Sequence, residues 1–340
     1  MDPRRADLVL EGGGVKGIGL VGAVATLARA GYTFPRVAGT SAGAVVGAFL
    51  VALQRAGEPL ERLEDVARSL DYRRLRDRGR VGRAVGPLAR VVDGLSLAFD
   101  GGVFEGDYLR SWLRGSLADL GVLTFGDLRA VDEGSSLPVE QRYSFVVTAS
   151  DVSRKQLVRL PWDYALYGID PDEQEVADAV RASASIPFFF EPVTLRSRGE
   201  GSGSLVSTLV DGGVLSNFPI ALFDRTDGLP PRWPTFGVRL SMRPEGRVQT
   251  TEVRGTVSLA LALVETMLEA CDAQHIDDPC VQARSVFVDA SGISPVDFLI
   301  TDEMQEQLLL AGHQAAGGFL QHWSWPDYLR RCRAFEDGQP

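Results

Sequence analysis

Two glycine-rich segments near the start of the chain, and one aspartate far from both, carry residue types that can do chemistry together. The first segment, Val37-Ala38-Gly39-Thr40-Ser41-Ala42-Gly43-Ala44, spells G-x-S-x-G after a short apolar run. That pattern predicts a sharp strand-to-helix turn that lifts the Ser41 hydroxyl clear of a sheet for nucleophilic attack. The small residues Gly39, Ala42 and Gly43 give such a turn the room it needs. In the second segment, Leu8-Val9-Leu10-Glu11 runs into Gly12-Gly13-Gly14-Val15-Lys16-Gly17. Its backbone N–H groups stand at a predicted helix start, where negative charge is stabilised. A nucleophile beside such a cradle points to acyl transfer, with N–H groups of Gly12, Gly13, Gly14 and Ala42 receiving the oxyanion. Lys16 either adds positive potential there or is a solvated side chain.

The nucleophile needs a base. The three histidines, His275, His313 and His322, stand at no obvious strand end after an acid. Asp211 is the better candidate. The apolar run Leu205–Val210 ends in Asp211-Gly212-Gly213, and ligands of α/β sheets gather beyond the carboxyl ends of parallel strands. By itself Asp-Gly more often marks a plain turn between two strands. Two rival chemistries weaken on inspection. Gly12–Gly17 also fits G-x-G-x-x-G, but a dinucleotide site wants an acid about 20 residues on, and none lies between Glu11 and Glu58. Cys271, His275 and Cys280 lack the fourth ligand of a structural zinc site, so no metal is expected.

The elements that must position these residues read as β-α-β-α from the start. Strands are expected at Asp7–Glu11 and Val37–Gly39, with helices over Gly14–Ala30 and Ala42–Ala56. This is the signature of a mostly parallel sheet covered by helices. Further strands are expected at Tyr143–Ala149, Gln156–Leu160, Leu205–Val210, Phe236–Leu240 and Ser285–Asp289. Helices are expected at Leu60–Leu70, Asp107–Leu120, Val176–Ser185, Val257–Ala273 and Asp302–Leu320, and Ser197–Ser204 is a hairpin tip or loose loop. Residues 68–105, rich in arginine up to Arg90, break the pattern and read as an insertion or lid-like segment.

Composition bounds the rest. In 340 residues, 45% apolar, the net charge is −10, which argues against a nucleic-acid partner. Cys271, Cys280 and Cys332 are an odd, sparse set, predicting no disulfide framework and a reducing compartment. Met1–Arg5 leads straight into the first strand, leaving no room for a signal peptide, and no apolar stretch of about 20 residues is present to span a membrane. A cytoplasmic protein, peripheral at most to a membrane surface, is expected.

With these residues in place the chain resembles the patatin-like phospholipases. Gly12–Gly17, Gly39–Gly43 and Asp211–Gly213 stand in that family's order and approximate spacing. Ala182-Ser183-Ala184-Ser185-Ile186-Pro187-Phe188-Phe189-Phe190-Glu191-Pro192 and Asp211-Gly212-Gly213-Val214-Leu215-Ser216-Asn217-Phe218-Pro219 are similar to two of its other stretches. The likeness covers residues 7–222 well. Val288-Asp289 with Asp297-Phe298 resembles the tail of bacterial members more weakly. It implies a three-layer α/β fold with a mostly parallel central sheet, helices on both faces and Ser41 on a nucleophile elbow, with residues 223–340 completing the same domain. It also implies a Ser41–Asp211 dyad with no cofactor, acting on a phospholipid or simpler acyl ester as a phospholipase A, lysophospholipase or esterase. It leaves open an activating partner. Two features depart from the family pattern: Lys16 stands where arginine is common, and Arg68–Arg90 matches no family motif. That arginine segment could press on anionic head groups. The alternative, a catalytically silent protein on the same fold, is opposed by the intact Ser41 and Asp211.

Overall fold

Alternation along short apolar runs decides both the strands and the faces they bury. In β2 (Asp7–Leu10), β4 (Val37–Thr40) and β5 (Phe145–Asp151), the residues Leu8, Leu10, Val37, Phe145, Val147 and Ala149 enter one apolar cluster. Their neighbours Val9, Ala38 and Val146 enter another on the opposite face, as the period of two requires. A computed structural model describes residues 4–76, 104–197, 205–240 and 277–332, with isolated helical positions between 259 and 267.

β1 (Arg4–Arg5) pairs with β3 (Tyr32–Thr33) in a small sheet of its own. The main sheet adds β6 (Gln156–Leu160), β7 (Val193–Arg196), β8 (Val206–Asp211), β9 (Thr235–Arg239) and β10 (Ser285–Phe287). Its order is β10-β9-β2-β4-β5-β8-β7, with β6 also on β5. The pairs from β10 to β5 are parallel, whereas β6 and β8 run antiparallel to β5 and β7 antiparallel to β8. β9 and β10 therefore extend the same sheet that carries the glycine loop.

One face carries most of the helical mass: α1 (Ile18–Arg29), α2 (Ala42–Ala56), α3 (Arg62–Ser69), α4 (Asp107–Ala118), α5 (Val176–Ser183) and the long α7 (Asp302–His322). The other face packs Phe218, Ile220, Phe223 and Val281, the last from the short helix α6 (Pro279–Ala283). A further helix, α8 (Trp325–Cys332), follows α7. The helix expected over Gly14–Ala30 is split. Gly14–Gly17 is a 3₁₀ turn and α1 begins only at Ile18, with Gly14 at φ +56° outside α-helical backbone.

The cysteine expectation is corrected. Cys280 in α6 and Cys332 in α8 form a disulfide across 52 residues of sequence. Linear spacing carries no sign of it, because only the fold brings α6 and α8 together. The reducing-compartment expectation loses the argument that carried it, and Cys280 is no metal ligand. The Arg-rich segment beyond Arg76, the loop at 198–204, most of the helix expected at Val257–Ala273, and Cys271 and His275 lie outside the described residues. Among the described residues no helix is long and apolar enough to cross a membrane.

Candidate active site

Strand register gathers the three motifs. Leu10 lies opposite Gly39, Thr40 opposite Thr148, and Ala149 opposite Asp211. The glycine loop after β2, the elbow after β4 and the acid at the end of β8 thus meet at one end of adjacent strands. The reason given from sequence for Asp211 needs correction. β8 runs antiparallel to β5, so Asp211 is not at the end of a parallel strand. β5 extends past β4, and β8 runs back along that extension to deliver Asp211 to the carboxyl ends of the parallel set.

Ser41 has φ 51° and ψ −119°, a conformation that costs a non-glycine residue free energy and recurs at functional turns. Close approach explains its glycine neighbours. A Cβ on Gly39 would lie 2.3 Å from Gly43 O, and one on Gly43 would lie 2.3 Å from Leu10 O. The Ser41 N–H donates to Ser183 Oγ at 2.8 Å, and Ser183 Oγ donates to Thr148 O at 2.6 Å. Ser183 therefore holds the strained turn onto β5, a role that its place in the alanine-serine stretch did not reveal.

Asp211 is fully buried. Its Oδ1 accepts the Gly213 N–H at 2.8 Å, and its own N–H donates to Ser185 O at 2.9 Å. Oδ2 has no partner within hydrogen-bond geometry. Burial pushes the carboxyl up to about 6, opposed by the facing Ser41 hydroxyl and by the Gly213 N–H. Serine and acid thus face one another, and hydrogen bonds between catalytic groups often tighten only once substrate binds. A Cβ on Gly212 would lie 2.4 Å from Thr148 O, so this turn must be glycine for Asp211 to reach its place.

The glycine loop divides its labour. Gly12 donates its N–H to Asn217 O at 3.2 Å and accepts from Asn217 Nδ2 at 3.2 Å. Its N–H is therefore committed, which corrects its place among the oxyanion donors. Gly13 and Gly14 open the 3₁₀ turn, where N–H groups have no intrahelical acceptor, and no described backbone hydrogen bond uses them. Ala42 opens α2 in the same way. Gly17 lets these helix starts approach, since a Cβ there would lie 2.8 Å from Ala42 Cβ. Two positive helix ends converge beside Ser41. Lys16 is half-buried, its N–H closing the turn onto Gly13 O at 3.1 Å.

Gly14→Ala cannot separate a catalytic loss from a structural one. At φ +56° a Cβ would lie 1.9 Å from Pro295 O, so that variant disrupts the loop itself. Gly13 is the cleaner probe, because its Cβ would meet only the movable Leu240 Cδ1, at 2.6 Å. Gly13→Ala keeps its N–H donor, so turnover per folded molecule should stay near that of the wild type, with a smaller loss of melting temperature than Gly14→Ala. Steady-state kinetics and thermal unfolding of both variants check this.

Buried charges that sequence reasoning missed support the site from behind. Glu11, just before the loop, takes the Arg239 guanidinium at 2.7 and 3.0 Å, both side chains about 5% exposed or less. Arg181, buried on α5, donates to Ser185 Oγ at 2.6 Å and to Glu191 O at 3.0 Å. It thereby steadies the segment whose Ser185 carbonyl holds Asp211. Only the burial of their elements separates these residues from surface charge. Arg239→Met should cost roughly 3–5 kcal/mol by taking the guanidinium away from the buried Glu11 carboxylate, measured by denaturant unfolding.

The two described histidines lie elsewhere. His313 Nδ1 is 2.8 Å from Thr26 Oγ1, between α7 and α1, and its Nε2 is 3.5 Å from Glu64. His322 Nδ1 is 3.0 Å from Gly318 O at the end of α7. Beside Ser41 a pocket opens between α2, α3 and α4, lined by Ser41, Gly14, Ala42 and otherwise almost wholly by apolar side chains.

Fold, elbow, buried acid and apolar pocket together define a serine-site α/β protein of a particular kind. The family model of patatin-like phospholipases matches residues 8–224, and the chain belongs to that family. It is 35% identical over 319 residues to the uncharacterized protein YqhO of Bacillus subtilis (strain 168), covering 94% of this chain and 99% of that one. Among solved structures, VipD from Legionella pneumophila is similar at TM-score 0.48 and 16% identity, over 94% of this chain and 67% of that one. ExoU, in its complex with SpcU from the type III secretion system of Pseudomonas aeruginosa, is similar at TM-score 0.48 and 18% identity. There the match covers 94% of this chain and 52% of that one, so this chain spans about half that protein's length.

Proposed function

We propose that this protein is a serine lipid acyl hydrolase working through a Ser41–Asp211 dyad. The observation that carries the reading is the pairing itself: a serine on a strained elbow lines an apolar pocket and faces a fully buried carboxylate. Membership of the patatin-like phospholipases supports an ester substrate.

Asp211 Oδ2 takes the Ser41 proton as Oγ attacks the ester carbonyl. The tetrahedral oxyanion rests on the N–H groups of Gly13, Gly14 and Ala42, at two helix starts. Collapse breaks the ester C–O bond. The alcohol leaves with the proton held by Asp211, and the acyl group stays on Ser41. Water then enters, gives a proton to Asp211 and attacks the acyl carbon. The fatty acid leaves, and the proton returns to Ser41 Oγ. Phospholipids and simpler acyl esters both fit this scheme.

A fluorophosphonate probe should label the wild-type protein at Ser41 and fail to label Ser41→Ala. Labelling at another residue, or no release of fatty acid from phospholipid or dye esters, would remove the assignment.

A further inference from the structure

The apolar pocket beside Ser41 is walled on one side by α2. On α2 its wall is Ala42, Val45, Val46 and Phe49, the stripe that one face of a helix presents. Phe49 stands eight residues beyond Ser41, about 12 Å along the axis at roughly 1.5 Å per residue. There the Phe49 and Trp112 rings meet, with centroids 4.9 Å apart and planes at 58°. Phe49 is buried, whereas Trp112 on α4, which also lines the pocket, is half-buried. The indole is held in place, its Nε1–H donating to Ser69 Oγ at the end of α3, at 3.3 Å.

Resting on the hydrolase reading above, we propose that the Phe49–Trp112 pair closes the far end of the acyl pocket and so sets an upper limit on chain length. Esters of medium-chain acids are then preferred over those of long-chain acids. A membrane leaflet's hydrocarbon layer is about 15 Å, half of a core of about 30 Å. The rise along α2 from Ser41 to Phe49 is shorter than that, so with the Phe49–Trp112 pair as its end the pocket would not sheathe a long membrane acyl chain. Rejected methylenes cost about tenfold or more each when a pocket cannot admit them.

The test compares kcat/KM for p-nitrophenyl butyrate, decanoate and palmitate in one detergent micelle, normalised to Ser41 titratable by a fluorophosphonate. The proteins are wild type, Trp112→Ala and Val45→Phe. Wild type should favour decanoate over palmitate by tenfold or more. Trp112→Ala should open the end and raise the palmitate-to-decanoate ratio at least tenfold. Val45→Phe, which fills the pocket one turn beyond Ser41, should move the preference toward butyrate. Equal use of decanoate and palmitate by wild type would overturn the gauge, as would an unchanged ratio in folded Trp112→Ala. Calorimetric binding of decanoate and palmitate to Ser41→Ala, with and without Trp112→Ala, reads the pocket without chemistry. If wild type hydrolyses no ester, the hydrolase reading falls. The gauge then stands on tighter decanoate binding that Trp112→Ala abolishes, and equal affinities in both proteins would sink it.

Discussion

Ser41→Ala is expected to lower ester hydrolysis by roughly 10³-fold or more, as loss of a nucleophile does, while the fold persists. The elbow does not depend on the hydroxyl. The bond that pins the turn runs from the Ser41 backbone N–H to Ser183 Oγ. Alanine keeps the same Cβ, so the cost of φ 51° is already present in the wild type. What disappears is the oxygen that faces Asp211 and attacks the ester. Purified variant and wild type, compared by turnover and melting temperature, give the answer. Retained turnover in a protein free of wild-type contamination would take Ser41 out of the mechanism. A collapsed melting temperature would instead show that the hydroxyl holds the turn.

Asp211→Asn should be equally inactive and, at neutral pH, more stable than wild type. The Asp211 carboxyl is raised from 3.8 to about 6 because it is wholly buried. A group whose folded pKa is raised contributes stability that is fully present below its unfolded pKa, near 4, and lost as pH rises through about 6. The shift of about two units makes ionised Asp211 a cost of roughly 3 kcal/mol above that window. Asparagine keeps the acceptor for the Gly213 N–H and removes the buried charge. The variant should therefore gain stability near pH 8 and differ little from wild type near pH 4, read by denaturant unfolding at both. A gain of the same size at both values would show that charge burial is not its cause.

The same carboxyl sets the pH profile of the reaction. Only ionised Asp211 can accept the Ser41 proton, so kcat/KM should rise through a limb near pH 6 and stay high above it. A histidine base starts from about 6.5 and gives a similar limb, so the profile needs a partner experiment. Changing His275, His313 and His322 together to Gln should leave both the limb and most of the activity. His313 is engaged with Thr26 and Glu64, and His322 with its own helix. A folded but inactive triple variant would overturn the dyad.

The sequence by itself determined the local chemistry. G-x-S-x-G requires small residues at fixed offsets, because a Cβ on Gly39 would meet the backbone of Gly43 and Ala44 in the turn that follows. Such constraints are written within a few positions and are legible there. The alternation of Leu8, Val9 and Leu10 likewise declared both faces of a strand. What lay beyond local sequence was decided by long-range register. The antiparallel return of β8 along β5 places Asp211 before Ser41, and an Asp-Gly turn alone does not say which way its strand runs. Ser183, Asn217 and Arg239 act on residues far away in the chain, so their types look ordinary until the fold brings those partners to them. The Cys280–Cys332 disulfide belongs to the same class, since its sequence separation of 52 residues has no local signature. The tertiary structure also decided which glycine N–H groups stay open. Gly12 loses its own to Asn217, while Gly13 and Gly14 keep theirs at a helix start. Whether a backbone donor is available depends on what packs against it, and a linear motif does not contain that information.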